Sequence, residues 1–201
     1  SKTASAGETV TFKFTNGLGS IRWEKNQTGG ATLGGATFTI TPDPRDWNGT
    51  LTVVDNGPHD ADADPGEFWV TGVRVDRDGG YEIAESAPPT GWIGSSATAT
   101  VNPTSSDPNV SVAAQTWVNS LGSLRWVKNG PNGTDLLGGA TFTVTPDPRD
   151  GVGTLVIVDN DANDTDATDG EFRVNNARTG TYSVQETAAP TAAAFGLTVG
   201  T

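Results

Sequence analysis

One short pattern occurs twice and limits what this chain can become: GSIRWEKN at Gly19–Asn26 and GSLRWVKN at Gly122–Asn129. Each copy alternates apolar and polar residues and predicts a strand that ends in a lysine. Side chains two apart share one face of a strand. Ile21, Trp23 and Lys25 therefore point one way, and Leu124, Trp126 and Lys128 do the same in the second copy. The apolar partners mark that face as core, so both lysines are predicted to point inward. An ammonium left alone in a core costs several kcal/mol or gives up its proton. The chain has four lysines against eight arginines, and two of the four hold this position. Something nearby must answer for them.

The repeat extends far beyond these octets. LGGATFTIT, TPDPRDWNG, TLTVVDN and EFWV follow the first, and LGGATFTVT, TPDPRDGVG, TLVIVDN and EFRV follow the second. Short alternating runs separated by Gly, Pro and Asp turns, among 26 Gly and 12 Pro, predict an all-β protein of two tandem β-sandwiches. Residues 17–119 form the first domain in this reading and 120–201 the second. Residues 1–16 hold a polar tail and the strand TVTFKFT, with Val10, Phe12 and Phe14 on one face and Asn16 at its end. That strand belongs to a preceding or neighbouring unit, because Asn16 precedes GLGSIRWEKN as Asn119 precedes SLGSLRWVKN. The second domain lacks a counterpart of the strand ending in Asn119.

A net charge of −12 argues against nucleic acid and anionic membrane surfaces as partners. No apolar run approaches the length of a membrane span. With no Met, the chain reads as processed or excerpted; with no Cys, disulfides are excluded as staples.

Two further polar residues end apolar stripes in the same order. Tyr81, Ile83 and Glu85 share a face, as do Tyr182, Val184 and Glu186, and Trp117 shares one with Asn119. The plain reading is a structural Lys–Glu ion pair beside an unrelated turn asparagine. The chemical reading is an intramolecular isopeptide bond. An apolar setting leaves the lysine as a free, nucleophilic amine. The same setting favours a neutral glutamic acid, able to polarise the asparagine carboxamide and shuttle protons. Packing the three groups together supplies the proximity, and ammonia leaves. A Lys25–Asn119 link closes a loop of about 95 residues, on the order of 4–5 kcal/mol if loop-entropy arguments transfer. Asn102, in ATATVN, is a rival acceptor of opposite phase.

The ordered set G-S-x-R-W-x-K-N, L-G-G-A-T-F, V-D-N, G-E-F and Y-x-[IV]-x-E-[ST]-A-x-P resembles the collagen-adhesin B-type, or SpaA-type pilin, domain of Gram-positive surface proteins. The resemblance covers nearly the whole chain, twice. It implies seven-stranded, prealbumin-like sandwiches that build extracellular stalks and pili and carry Lys–Asn bonds promoted by a glutamate. By position, the lysines are Lys25 and Lys128, the glutamates Glu85 and Glu186, and the first domain's asparagine Asn119. It implies no enzyme activity beyond this self-directed bond. The departures are the missing last strand of the second domain and the lack of a sorting signal or pilin-linking motif. Two arrangements stay open. The chain is a fragment of a repeat array, or copies of it join head to tail. In the second case, residues 9–16 complete a neighbour's second domain and Asn16 bonds to the neighbour's Lys128.

The acidic loops DNGPHDADADPGE and DNDANDTDATDGE offer Asp60, Asp62 and Asp64, then Asp161, Asp164 and Asp166, as calcium candidates. Neither has EF-hand spacing, so a solvated acidic loop without cofactor is the default. Trp47 and Trp69 become Gly151 and Arg173 in the second repeat. Trp69 is out of phase with Phe68 and Val70 and is predicted to face outward. Both offer surface for a glycan or host-protein ligand, an adhesin reading that competes with the structural one. His59 is the only histidine, which removes histidine clusters and Ser–His–Asp chemistry.

Overall fold

The computed structural model describes residue 3, residues 5–7, 9–11 and 17–190. Among them are thirteen strands and no helix. β1 (Gly19–Gln27) is the first lysine strand. It pairs antiparallel with β4 (Glu67–Val73), setting Ile21 opposite Val70 and Trp23 opposite Phe68. Its other edge takes β7 (Asn109–Ser111) in parallel, and β8 (Trp117–Asn119) also pairs with β1. The facing sheet has the order β3-β2-β5-β6, from β2 (Thr37–Thr41), β3 (Leu51–Val54), β5 (Tyr81–Ala87) and β6 (Thr98–Val101).

Alternation decides what fills the space between these sheets. Ile21, Phe38, Ile40, Val53, Tyr81, Ile83 and Trp117 are fully buried. Trp23 stacks on Phe68 at 5.0 Å, and Phe38 meets Trp117 edge-on at 5.0 Å. Trp69 lies half-buried with the Arg22 guanidinium 4.0 Å above its ring, off the core face as its phase predicts.

The first domain departs from seven strands because its closing stretch is split. Gln115 adopts φ +64 and the Thr116 hydroxyl donates to the Ala113 carbonyl, so β7 and β8 are separate strands. Gly19 makes the β7 approach possible. A Cβ there would lie 1.9 Å from the Pro108 carbonyl oxygen, which accepts the Ser20 amide at 2.9 Å.

The second repeat builds the same frame with fewer strands among the described residues. β9 (Gly122–Val127) pairs with β12 (Glu171–Ala177), and β10 (Thr141–Thr145) lies between β11 (Leu155–Val158) and β13 (Ser183–Ala188). Trp126 stacks on Phe172 at 5.4 Å, with Phe142 edge-on to Phe172 at 4.8 Å. No described residue plays the part of Trp117 here, and Val184, predicted inward, is 42% exposed. By contacts the chain falls into two compact units. Ser1–Lys25, Ala36–Ser86 and Ser96–Trp117 form one; Asn26–Gly35, Ala87–Ser95 and Val118–Thr201 form the other.

The two strand-leading glycines separate cleanly. Gly19→Ala should destabilise by ~1–3 kcal/mol, the usual cost of overpacking. Gly122→Ala should be neutral to ~1 kcal/mol stabilising, because the nearest atom to a Cβ there is at 3.5 Å. Urea unfolding of the two variants checks this.

Candidate functional site

β1 carries Lys25 into a sealed position: its side chain is 0% exposed. On β5, Tyr81 and Ile83 are wholly buried, and Glu85 continues that face with a side chain 1% exposed. Lys25 Nζ lies 3.7 Å from Glu85 Oε1 and donates to the Trp117 carbonyl at 3.0 Å. Burial pushes the Lys25 amine below the ordinary lysine value, and the nearby Glu85 pulls the other way. Asn119 sits two residues beyond Trp117, on the same face of β8, and is wholly buried. Its backbone oxygen accepts the Thr28 amide at 2.9 Å. Asn102, the rival acceptor, is exposed. The role of the Trp117 carbonyl was not readable from the sequence, although the Trp117–Asn119 stripe pointed to this strand.

The second lysine sits differently. Lys128 Nζ donates to Glu186 Oε2 at 2.7 Å, with the two side chains 24% and 31% exposed. Lys128 keeps the phase of Leu124 and Trp126, but it is half-buried where Lys25 is sealed. β9 pairs only with β12 among the described residues, whereas β1 is flanked by β4 on one side and by β7 and β8 as well. Water therefore reaches the second pair. Asn16 lies outside the described residues.

The acidic loops spend most of their carboxylates on their own backbone. Asp60 accepts the amides of Asn56, Asp62 and Trp69, and Asp164 accepts those of Asn160, Asp166 and Arg173. Asp161 accepts the amides of Asn163 and Asp164. Asp62 pairs with Arg22 at 3.3 Å and Asp166 with Arg125 at 3.4 Å. Among the described residues, Asp62, Asp64 and Glu67 bring carboxylate oxygens within 4.8 Å of one another. Burial and the neighbouring Asp62 and Asp64 push the Glu67 carboxyl up. Glu67 was not singled out in the sequence, because it starts a strand after the loop.

Residues 122–195 match the family model of the SpaA prealbumin-like fold domain. Among solved structures, the Bacillus anthracis TIE protein is similar at 19% identity and a TM-score of 0.54, over 86% of this chain and 28% of that one. A streptococcal ancillary pilin is similar at 22% identity and a TM-score of 0.40, over 86% of this chain and 54% of that one. The C-terminal fragment of the pilus adhesin SpaC from Lactobacillus rhamnosus GG follows at 18% identity and a TM-score of 0.44, over 87% and 77%. The first of these shares the fold. This chain spans about a quarter and about half the length of the first two. No curated protein sequence matches it. No helix among the described residues is long and apolar enough to cross a membrane.

The lowered proton affinity of Lys25 has a measurable sign. Between its native value and the ordinary 10.5, the unfolded chain binds the extra proton, so stability rises with pH across that window. In an Asn119→Ala background, where no bond to that asparagine forms, the rise is at most ~1.4 kcal/mol per pH unit. Urea midpoints against pH, compared with Lys25→Met in the same background, read it. A pH-independent difference between the two would show an unperturbed lysine.

Proposed function

We propose that this chain is an extracellular, cell-surface stalk, pilus or fibre element whose first domain is locked by a Lys25–Asn119 isopeptide bond promoted by Glu85. The observation that carries this reading is the sealed lysine: it lies beside a buried carboxylate and donates to the strand that ends in a buried asparagine. Glu85 takes the proton from the Lys25 ammonium and leaves a neutral amine. The amine attacks Asn119 Cγ while the protonated Glu85 polarises Oδ1. One C–N bond forms and the carboxamide C–N bond breaks. Glu85 relays to the departing nitrogen both the proton shed by the attacking amine and the one it took from the ammonium, so the nitrogen leaves as ammonium and the carboxylate is regenerated. Exclusion of water protects the reactants, and the bond then joins β1 to β8, tying the ends of the sandwich. A tensile load between the ends is borne by covalent bonds instead of by sheet hydrogen bonds.

The second domain supports a further step in the same reading. β9 has one strand partner among the described residues, and its lysine already meets Glu186. A strand added at that edge would complete the site. Residues 9–16 of another copy would bring Asn16 to Lys128, making a head-to-tail covalent fibre.

Intact mass and boiled denaturing electrophoresis test both steps. The expected monomer is lighter by one ammonia, and Glu85→Ala or Asn119→Ala restores full mass. A chain of full mass would overturn the internal bond. A boil-resistant ladder that disappears in Lys128→Ala is expected of the fibre, and monomer alone at high concentration would overturn that step without touching the first.

A further inference from the structure

The two units share one end-frame. In the second, the Tyr182 hydroxyl donates to the Arg178 carbonyl at 2.6 Å, the Arg178 amide to Pro148 at 2.8 Å, and Arg178 Nε to the Arg149 carbonyl at 3.2 Å. In the first, Tyr81, Arg74, Pro44 and Arg45 repeat the same bonds at 2.6, 2.8 and 2.7 Å. By the repeat, Thr179 corresponds to Val75 and Ser120 to Gly17.

In the second unit this frame holds a turn. The Thr179 amide donates to the Gly91 carbonyl at 2.9 Å, and Arg178 Nη1 donates to the Thr90 carbonyl at 3.4 Å. Ile93 and Ser120 exchange both backbone hydrogen bonds, at 2.9 and 3.2 Å. Gly91 has φ +86, and a Cβ there would meet the Arg178 side chain at 3.1 Å. The seat therefore selects glycine.

In the first unit no described residue takes the place of that turn, and the Arg74 guanidinium lies 5.4 Å from the Trp47 ring. Gly17, Arg74 and Val75 line a cavity of about 730 Å³, together with Leu18, Trp47 and Asp76. Among the described residues, neither the Val75 amide nor the Gly17 backbone has a hydrogen-bond partner. Trp47 stands at φ +69 where the second unit has Gly151 at φ +83, a conformation that disfavours an aromatic residue. Its Nε1 donates to the Tyr81 hydroxyl at 2.7 Å, which holds the ring as a wall of the cavity.

We propose that this cavity is a docking seat for a Pro-Thr-Gly turn presented by another domain of this kind. The turn is held as Pro89–Ile93 is held in the second unit. Its carbonyls accept from the Val75 amide and the Arg74 guanidinium, and the apolar residue after the turn pairs with Gly17, beside the Trp47 wall of the cavity. The matching segment of the second repeat reads Pro-Thr-Ala, with Ala192 in the glycine place, so the occupant is not the corresponding segment of a second copy.

Nuclear magnetic resonance on the isotopically labelled full chain tests this, using a cyclised peptide of residues 87–93 (APPTGWI). Saturable shifts are expected at the Val75 and Gly17 amides and the Trp47 indole. Arg74→Ala should weaken binding roughly tenfold, the loss of one charge-assisted hydrogen bond. A Gly91→Ala peptide should not bind, and this control does not depend on any protein variant folding. No shift at those three groups, or equal binding of the alanine peptide, would overturn the proposal.

Discussion

Everything in the first unit depends on how one lysine is kept from water. An ammonium sealed in that core forfeits its hydration and meets the Trp117 carbonyl at 3.0 Å and the Glu85 carboxylate at 3.7 Å in its place. Replacing such a pair by apolar residues of similar volume is often neutral or stabilising. Its presence in a core otherwise filled by aliphatic and aromatic side chains is the ground for the chemical reading proposed above, in which the Lys25 amine would act on the wholly buried Asn119 of the neighbouring strand.

Sealing the lysine is a property of sheet order more than of the lysine strand itself. GSIRWEKN and GSLRWVKN have the same alternation, yet among the described residues the first pairs with β4, β7 and β8 and the second with β12 alone. Trp117, which comes with β8, closes the core over Phe38 and Trp23 and lends its carbonyl to the lysine. In the second unit the lysine and glutamate are closer, at 2.7 Å against 3.7 Å, and water shares the pair. An exposed pair of that kind contributes about 0–1 kcal/mol. The contrast separates having the residues from having the environment that buries them.

That contrast also marks the limit of reading strands from sequence. Alternation placed Ile21, Trp23 and Lys25, then Tyr81, Ile83 and Glu85, on their faces, because local periodicity and burial agree where one sheet face is covered and the other is open to water. It gave the direction of Lys128 without its half-burial and misjudged Val184, since a strand's phase says which way a side chain points and nothing about what covers it. The split of one closing stretch into β7 and β8 turns on the left-handed backbone of Gln115, a residue type that does not announce it. The aspartates of the acidic loops drew attention as ligands, yet Asp60 and Asp164 serve as caps for backbone amides nine residues on, at Trp69 and Arg173. Repetition of Asp60 as Asp164 was the available clue to that structural role.

Repetition is in fact the sharper instrument, because the two units act as controls for each other. What both retain is what the fold requires: the Asp43–Arg45 and Asp147–Arg149 pairs, the tyrosine hydroxyl on an arginine carbonyl, and the aromatic stack under the lysine strand. Gly151 shows that the turn needs only a residue at home in the left-handed region, so the ring of Trp47 answers to its contacts, the Tyr81 hydroxyl and the Arg74 guanidinium, and not to the turn itself. The same reasoning applies to Gly19. It is tight against Pro108, while Gly122 is not, so that constraint belongs to the approach of β7 and not to the repeat. Differences against a shared frame thus divide residues that hold the sandwich together from those that equip one copy for contacts the other does not make.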